Sequence, residues 1–174
     1  EDWVDIFEEA ATAPDDTPQV EIDPLLARKG QELDGDLRVL DRLGQGATAR
    51  VLLVESIKDD RRYALKVSLG PEHDERLERE ARGLQSLDHA RIVRCHGTRK
   101  IAGRTCVLLS VAGSTTLHEL LLKEGTVSLD LCARYGTDLL DALQHLEEVG
   151  VVHRDIKPAN LGVGSASKST KHLT

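Results

Sequence analysis

The chain has 174 residues, 40% of them hydrophobic, 30% charged and only 2% aromatic, with a formal charge of −7. That length suits one ordinary domain with a sizeable core, or a small domain and an arm, and no apolar run approaches the ~18 residues of a membrane span, which describes a soluble protein with no membrane partner. The acidic balance excludes nucleic acid as the main partner of this segment, because phosphate backbones select basic surfaces.

At the start, EDWVDIFEEA is acidic and has no basic stretch ahead of an apolar one, so no secretory signal is expected and the expected compartment is cytoplasmic. Trp3, Val4, Ile6, Phe7 and Ala10 fall on one face of a short helix, and the proline-punctuated TAPDDTPQVEIDP that follows reads as a linker. Residues 1–34 are therefore an arm that docks on a neighbour or ends as a partly ordered tail. No methionine occurs, even at position 1, from which we expect a longer parent polypeptide.

From Leu37 the pattern turns to period two: LRVLDRL, ARVLLVES and RRYALKVSL read as three antiparallel strands joined at GQGAT and IKDDR. PEHDERLEREARGLQSLD then places Leu77, Ala81, Leu84 and Leu87 on one helical stripe. Two more strands are predicted at IVRCHGTRKI and RTCVLLSV, and two helices at LHELLLKEG and SLDLCARYGTDLLDALQHLEEVG. Ser128 caps the longer helix and Gly150 ends it. Cys95, Cys106 and Cys132 are odd in number and lack a C-x-x-C pair, so they fit neither a disulfide framework nor a zinc site and are read as buried small apolar residues. The late GSASKST reads as a flexible turn.

Four stretches carry chemistry. LGQGATARV puts glycines in a turn between strands, where backbone N–H groups can approach phosphate oxygens without Cβ interference; an ordinary hairpin turn is the alternative. No helix follows it and no G-x-x-x-x-G-K-[ST] is present, which argues against a dinucleotide fingerprint and a Walker loop. YALK places Lys66 on the third strand, where it is either solvated or held for a phosphate by a carboxylate, and Glu80 on the next helix is the candidate carboxylate. HRDIKPAN supplies a carboxylate in Asp155 to orient a hydroxyl and take its proton, an ammonium in Lys157 to neutralise a phosphoryl group, and an amide oxygen in Asn160 for a magnesium ion. A helix-terminating turn accounts for Pro158 and Asn160 but not for the whole octet.

Together these residues resemble the eukaryotic-like serine/threonine protein kinase family, from about Leu37 to Val163, roughly three quarters of the chain. The resemblance implies an α+β, protein-kinase-like fold: a five-stranded antiparallel N-lobe sheet with its C-helix over residues 35–112, and the first helices of a truncated helical C-lobe over 113–174. It implies that the loop from Gly44 through Gly46 to Ala49 covers the ATP phosphates, that Lys66 contacts them and pairs with Glu80, and that Leu43, Val51 and Ala64 wall the adenine. It further implies Leu109 as gatekeeper, hinge backbone bonds from Ser110 and Ala112, Asp155 as catalytic base, Lys157 beside it, and Asn160 as a ligand of Mg²⁺. His153 is expected to brace the core rather than act as an acid or base.

Three departures from the family pattern stand out: Ala49 in place of a third glycine, Gly162 where an apolar residue usually lies beneath adenine, and no D-F-G after Asn160. In this family the D-F-G aspartate holds the magnesium that bridges the phosphates, so the 174 residues alone are expected to be an inactive fragment whose C-lobe is completed by another chain or domain. ATP and a protein substrate are the expected partners. The acidic arm, the excess of arginine over lysine and KPANLGV look like the large bacterial multidomain kinases associated with phage defence. A pseudokinase or regulatory binding module is the alternative reading, and a kinase-like small-molecule phosphotransferase is a third that lacks support in the HRDIKPAN lysine.

Overall fold

The computed structural model describes residues 21–165 and 171–173; the helix expected around Trp3–Ala10 and most of GSASKST lie outside them. In chain order the elements are β1 (Glu32–Leu33), β2 (Leu37–Gln45), β3 (Ala49–Ser56), β4 (Arg62–Ser68), α1 (Asp74–Gln85), β5 (Cys95–Ile101), β6 (Arg104–Ser110), β7 (Thr115–Thr116), α2 (Leu117–Glu124), α3 (Leu129–Glu148), β8 (Gly162–Ser165) and β9 (Lys171–Leu173). None of the helices among the described residues is long and apolar enough to cross a membrane.

Six strands form one sheet in the order β1-β2-β3-β4-β6-β5, every neighbouring pair antiparallel. Alternation along the strands gives the sheet two faces. On one face Leu37, Val39, Leu52, Val54, Leu65, Val67 and Cys106 form a core that Leu33, Ile22, Leu25 and Ala27 cover from the N-terminal side. Each fully buried leucine there contributes about 1.5–3 kcal/mol relative to exposure. On the other face Leu77 and Ala81 of α1 pack on Cys95 and Val107, with Leu84 and Leu109 beside them. α1 covers only the β5-β6 end, which leaves the Val51, Ala64 and Lys66 side of this face clear of the helix stripe.

The sheet has one strand more than the five expected. The two-residue β1 pairs with the start of β2, and Pro24 and Leu33 are fully buried, so residues 21–33 lie along the sheet. α1 also begins later than the periodic stretch suggests, because Pro71–His73 forms a 3₁₀ turn first and the helical stripe starts at Leu77.

After β6 the chain passes through Val111–Ser114 into the helical part. Thr116 and Glu119 form a capping box at the start of α2, each side chain bonding the other's backbone N–H, which the T-x-x-E spacing signals. Ser128 accepts from Leu131 N–H at the start of α3, and Gly150 takes a positive φ of 72° after its end, both as the sequence suggests. Leu120, Tyr135 and Val163 make a third, smaller core cluster. Cys95 and Cys106 are buried, and burial pushes the Cys106 thiol up to about 12. Cys132 is exposed, contrary to expectation, because it sits beside Leu131 and off the buried stripe of Tyr135, Asp138, Ala142 and Leu146.

Candidate active site

The strand register lines up several of the predicted residues. Gly44 opposes Val51, Val51 opposes Lys66 and Lys66 opposes Val107, so one row crosses β2, β3, β4 and β6. Ala64, two residues earlier, opposes Leu109. Leu43 falls in an irregularity of the β2-β3 ladder and is exposed.

Lys66 projects from β4 toward α1, and its Nζ meets Glu80 Oε1 at 2.5 Å. Glu80 sits one residue before Ala81, whose buried methyl fixes the helix on the sheet, so the packing of α1 sets the carboxylate's position. The two side chains are 24% and 43% exposed. An ion pair that wet contributes at most about 1 kcal/mol to stability. Its stronger consequence is orientation of the ammonium on the sheet face that carries Val51 and Ala64.

Gly44 and Gly46 do not lie among the positive-φ glycines. A Cβ added at Gly44 would meet nothing within 4 Å, and one at Gly46 would meet only Ala49 O, at 3.9 Å. Neither backbone conformation nor internal packing requires glycine at either place. A ligand drawn close to the main chain would.

Asp155, Lys157 and Asn160 form a second group. Asp155 Oδ2 accepts from Lys157 Nζ and from Asn160 Nδ2, both at 2.9 Å, and Asn160 Nδ2 also donates to Asp155 O at 2.9 Å. With its amide nitrogen committed to Asp155, Asn160 turns its oxygen away and leaves an acceptor for a cation. The Lys157 bond first, and the Asn160 bond second, hold the Asp155 carboxyl below its ordinary value of 3.8, so it is ionised at neutral pH. His153 is exposed and accepts from Asp155 N–H at 3.3 Å, so it braces this loop locally and not the core as expected.

A magnesium ion takes oxygen ligands, commonly one or two carboxylates with substrate phosphates. Among the described residues no group of three or more His, Cys, Asp or Glu is placed to hold a metal. Asn160 with Asp155 is therefore a partial ligand set, and the fit is incomplete.

The two groups are joined through the segment after β6. Ser110 N–H is spent on Arg94 O at 2.9 Å, which leaves its carbonyl as its main-chain group for a ligand, and its hydroxyl is 2.9 Å from His96 Nε2, with Tyr63 edge-on to the same imidazole. Farther along, the main chain of Ala112 and Gly113 lies on β8. An ideal Cβ at Gly162 would be 1.6 Å from Ala112 O, and one at Gly113, whose φ is +89°, 2.5 Å from Val163 C and O. Thr115 and Thr116 pair with Val163 and Gly162, and Leu117 N–H donates to Leu161 O at 2.8 Å. The loop carrying Asp155 is thus pinned to the exit from the sheet. On the α3 side, Arg91 meets the buried Asp138 at 3.1 Å, His89 meets Asp141 at 3.3 Å, and His89 stacks on His145 with ring centroids 4.9 Å apart. No local pattern signals these three contacts, because their partners lie about 50 residues apart in the chain.

Comparison with known proteins gives a consistent result. The model of a family described as the protein kinase domain matches residues 37–170. The chain is 30% identical over 207 aligned residues to a probable kinase, PglW, of Streptomyces coelicolor, covering 98% of this chain and 13% of that protein. It is 28% identical over 149 residues to the serine/threonine-protein kinase pkn2 of Myxococcus xanthus, covering 83% and 18%. It is also 30% identical over 126 residues to a mitogen-activated protein kinase kinase of Arabidopsis thaliana, covering 72% and 41%. The chain thus spans less than half the length of each of these relatives.

Proposed function

This chain belongs to the protein kinase domain family, and from that premise we propose that the parent protein is a cytoplasmic serine/threonine protein kinase that transfers the γ-phosphoryl group of ATP to a protein hydroxyl. The observation that carries the reading is the Lys66–Glu80 pair at 2.5 Å, in which a helix carboxylate holds a strand ammonium in the same cross-strand row as Gly44 and Val51. In this reading residues 35–112 are the N-lobe and 113–174 the start of the C-lobe, which a further segment or chain completes.

The roles follow from the chemistry of each group. The main chain between Gly44 and Ala49 lies over the phosphates, and Lys66 contacts them, held by Glu80. Leu43, Val51 and Ala64 contribute apolar surface for the base; the carbonyl of Ser110 and the main chain of Ala112 meet its polar edge. The substrate hydroxyl oxygen attacks the γ-phosphorus, the bond from that phosphorus to the β,γ-bridging oxygen breaks, and ADP leaves. Asp155, ionised for the reasons given above, orients the hydroxyl and receives its proton. Lys157, 2.9 Å from that carboxylate, offsets charge on the phosphoryl group in flight. Magnesium supplies charge neutralisation at the phosphates when bound, and Asn160 is the residue of this segment that would hold it. Because the ligand set here is partial, these 174 residues alone are expected to be inactive.

The test is phosphotransfer by the full-length parent, with wild type compared to Lys66→Ala and Asp155→Asn. Each substitution is expected to reduce kcat/KM by at least ~10²-fold, the usual scale of a lost proton acceptor or charge clamp. Wild-type activity in both variants would remove the assigned roles. A second reading, a regulatory module that binds partners without turnover, draws on the contact of Ala112 O with Gly162, which puts main chain where the family usually has an apolar side chain beneath adenine. Phosphotransfer by the wild-type parent separates the two, since a pseudokinase or module of this kind returns no turnover whether or not it binds the nucleotide.

A further inference from the structure

The segment ahead of β1 reads in the sequence as linker, yet two of its carboxylates grip the β5-β6 turn. Glu21 Oε1 accepts from Ala102 N–H at 2.6 Å, and Asp23 Oδ1 accepts from Arg104 Nε at 2.6 Å. Around them, Pro24 is fully buried and Ile22, Leu25 and Ala27 pack on the outer core of the sheet. Arg50 adds a bond from its guanidinium to Leu25 O.

The gripped turn is itself under constraint. Ala102 and Gly103 both have positive φ, 46° and 76°, a conformation that suits glycine and burdens alanine, so an external acceptor for Ala102 N–H helps to hold it.

On its far side the same hairpin holds the start of α1. Arg104 Nη1 donates to Leu69 O at 3.2 Å, at the point where β4 gives way to the 3₁₀ turn before the helix. Lys100 Nζ meets Asp74 Oδ2, on the first residue of α1, at 2.9 Å, and reaches Thr105 Oγ1 at 2.6 Å and Glu78 at 4.0 Å. Glu80 follows Asp74 by six residues, about 9 Å along the helix axis. The carboxyl of Asp23 is held below its ordinary 3.8 chiefly by the Arg104 bond, so this grip persists at neutral pH.

We propose that Glu21 and Asp23 form a strap that positions α1: through Arg104 and Lys100 of the β5-β6 hairpin it fixes the first turn of the helix, and so keeps Glu80 within reach of Lys66. Glu21, Asp23, Arg104 and Lys100 are positioning residues, and drawing the strap off the hairpin is a route by which a change upstream of residue 21 reaches the Lys66–Glu80 pair. The inference rests on the functional reading above only for its kinetic consequence. The structural consequence stands apart from it.

The test is hydrogen exchange with mass spectrometry on the full-length protein, comparing wild type with the Glu21→Gln, Asp23→Asn double variant. Amides of α1 are expected to exchange roughly tenfold faster, the weight of one charge-assisted hydrogen bond, while those of β3 and β4 keep their rates. Asp23→Glu in place of Asp23→Asn restores most of the α1 protection. In the same variants kcat for phosphotransfer falls roughly in step with the α1 opening, whereas KM for the protein substrate holds. Unchanged α1 exchange overturns the proposal, and so does equal acceleration of α1 and β3-β4, which marks general destabilisation. If the double variant does not fold, Asp23→Asn alone gives the same comparison. If wild type shows no phosphotransfer, the proposed function fails while the exchange result still decides the strap.

Discussion

Gly162 offers the sharpest test of how the two halves of this segment meet. A methyl group at that position would sit 1.6 Å from Ala112 O and 2.5 Å from Ala112 C, atoms of the main chain and not the tip of a flexible side chain. Restoring 3.0 Å, below which a Cβ contact is essentially never seen, requires the two strands of backbone to part by about 1.4 Å, and overpacking of this kind costs about 1–3 kcal/mol. The same movement strains the bonds from Leu117 N–H to Leu161 O and from Ser114 N–H to Val163 O, 2.8 and 3.2 Å long, each contributing about 1 kcal/mol. Gly162→Ala is therefore expected to destabilise the domain by about 3 kcal/mol, a fall in Tm of about 6–12 °C at the scale of 2–4 °C per kcal/mol. Gly44→Ala is the control, since a methyl there meets nothing within 4 Å and its stability change is expected within about 0.5 kcal/mol. Differential scanning of the two variants beside wild type checks both. Equal melting of Gly162→Ala and wild type would mean that the close approach of Ala112 to β8 is not the state the protein occupies in solution.

Two further outcomes follow from the charged groups. Removing the ammonium in Lys157→Ala takes away the hydrogen bond that does most to hold the Asp155 carboxyl down, so its pKa is expected to rise toward 3.8, as read by carbon-detected NMR titration of the side chain; no movement would separate Lys157 from Asp155. The Asp23 carboxyl is likewise depressed by Arg104, so the pair adds stability that is present above about 3.8 and is lost as the pH falls through the lower folded value. Arg104→Gln is therefore expected to be less stable than wild type in urea at pH 6, by about 1 kcal/mol for a partly buried pair, with the gap closing in acid; a gap that widens in acid would contradict the assignment.

What the sequence revealed and what it hid divide along the range of the interactions involved. The strands β2 to β4 and the stripe of α1 were legible because their signals repeat every two or every three to four residues, and a local period needs no knowledge of the partner. Ser128 and Gly150 were legible for the same reason, since caps act within one turn of helix. The Lys66–Glu80 and Asp155–Lys157–Asn160 contacts were reached through motif and resemblance, and the register then places Lys66 in a row with Gly44 and Val51.

The residues that escaped are those whose meaning lies in something distant. VEIDPLLARKGQEL carries proline and acids without a period, and it reads as linker until Arg104, some 80 residues on, gives Asp23 its partner. Gly162 reads as a missing apolar residue when compared with the family, but beside Ala112 it is the one residue type that lets main chain lie on main chain. Its absence of a side chain is thus a packing requirement imposed from 50 positions away. For the same reason the meaning of Gly162 turns on where the main chain of Ala112 rests, a question that motif comparison does not pose and that the Gly162→Ala melt answers.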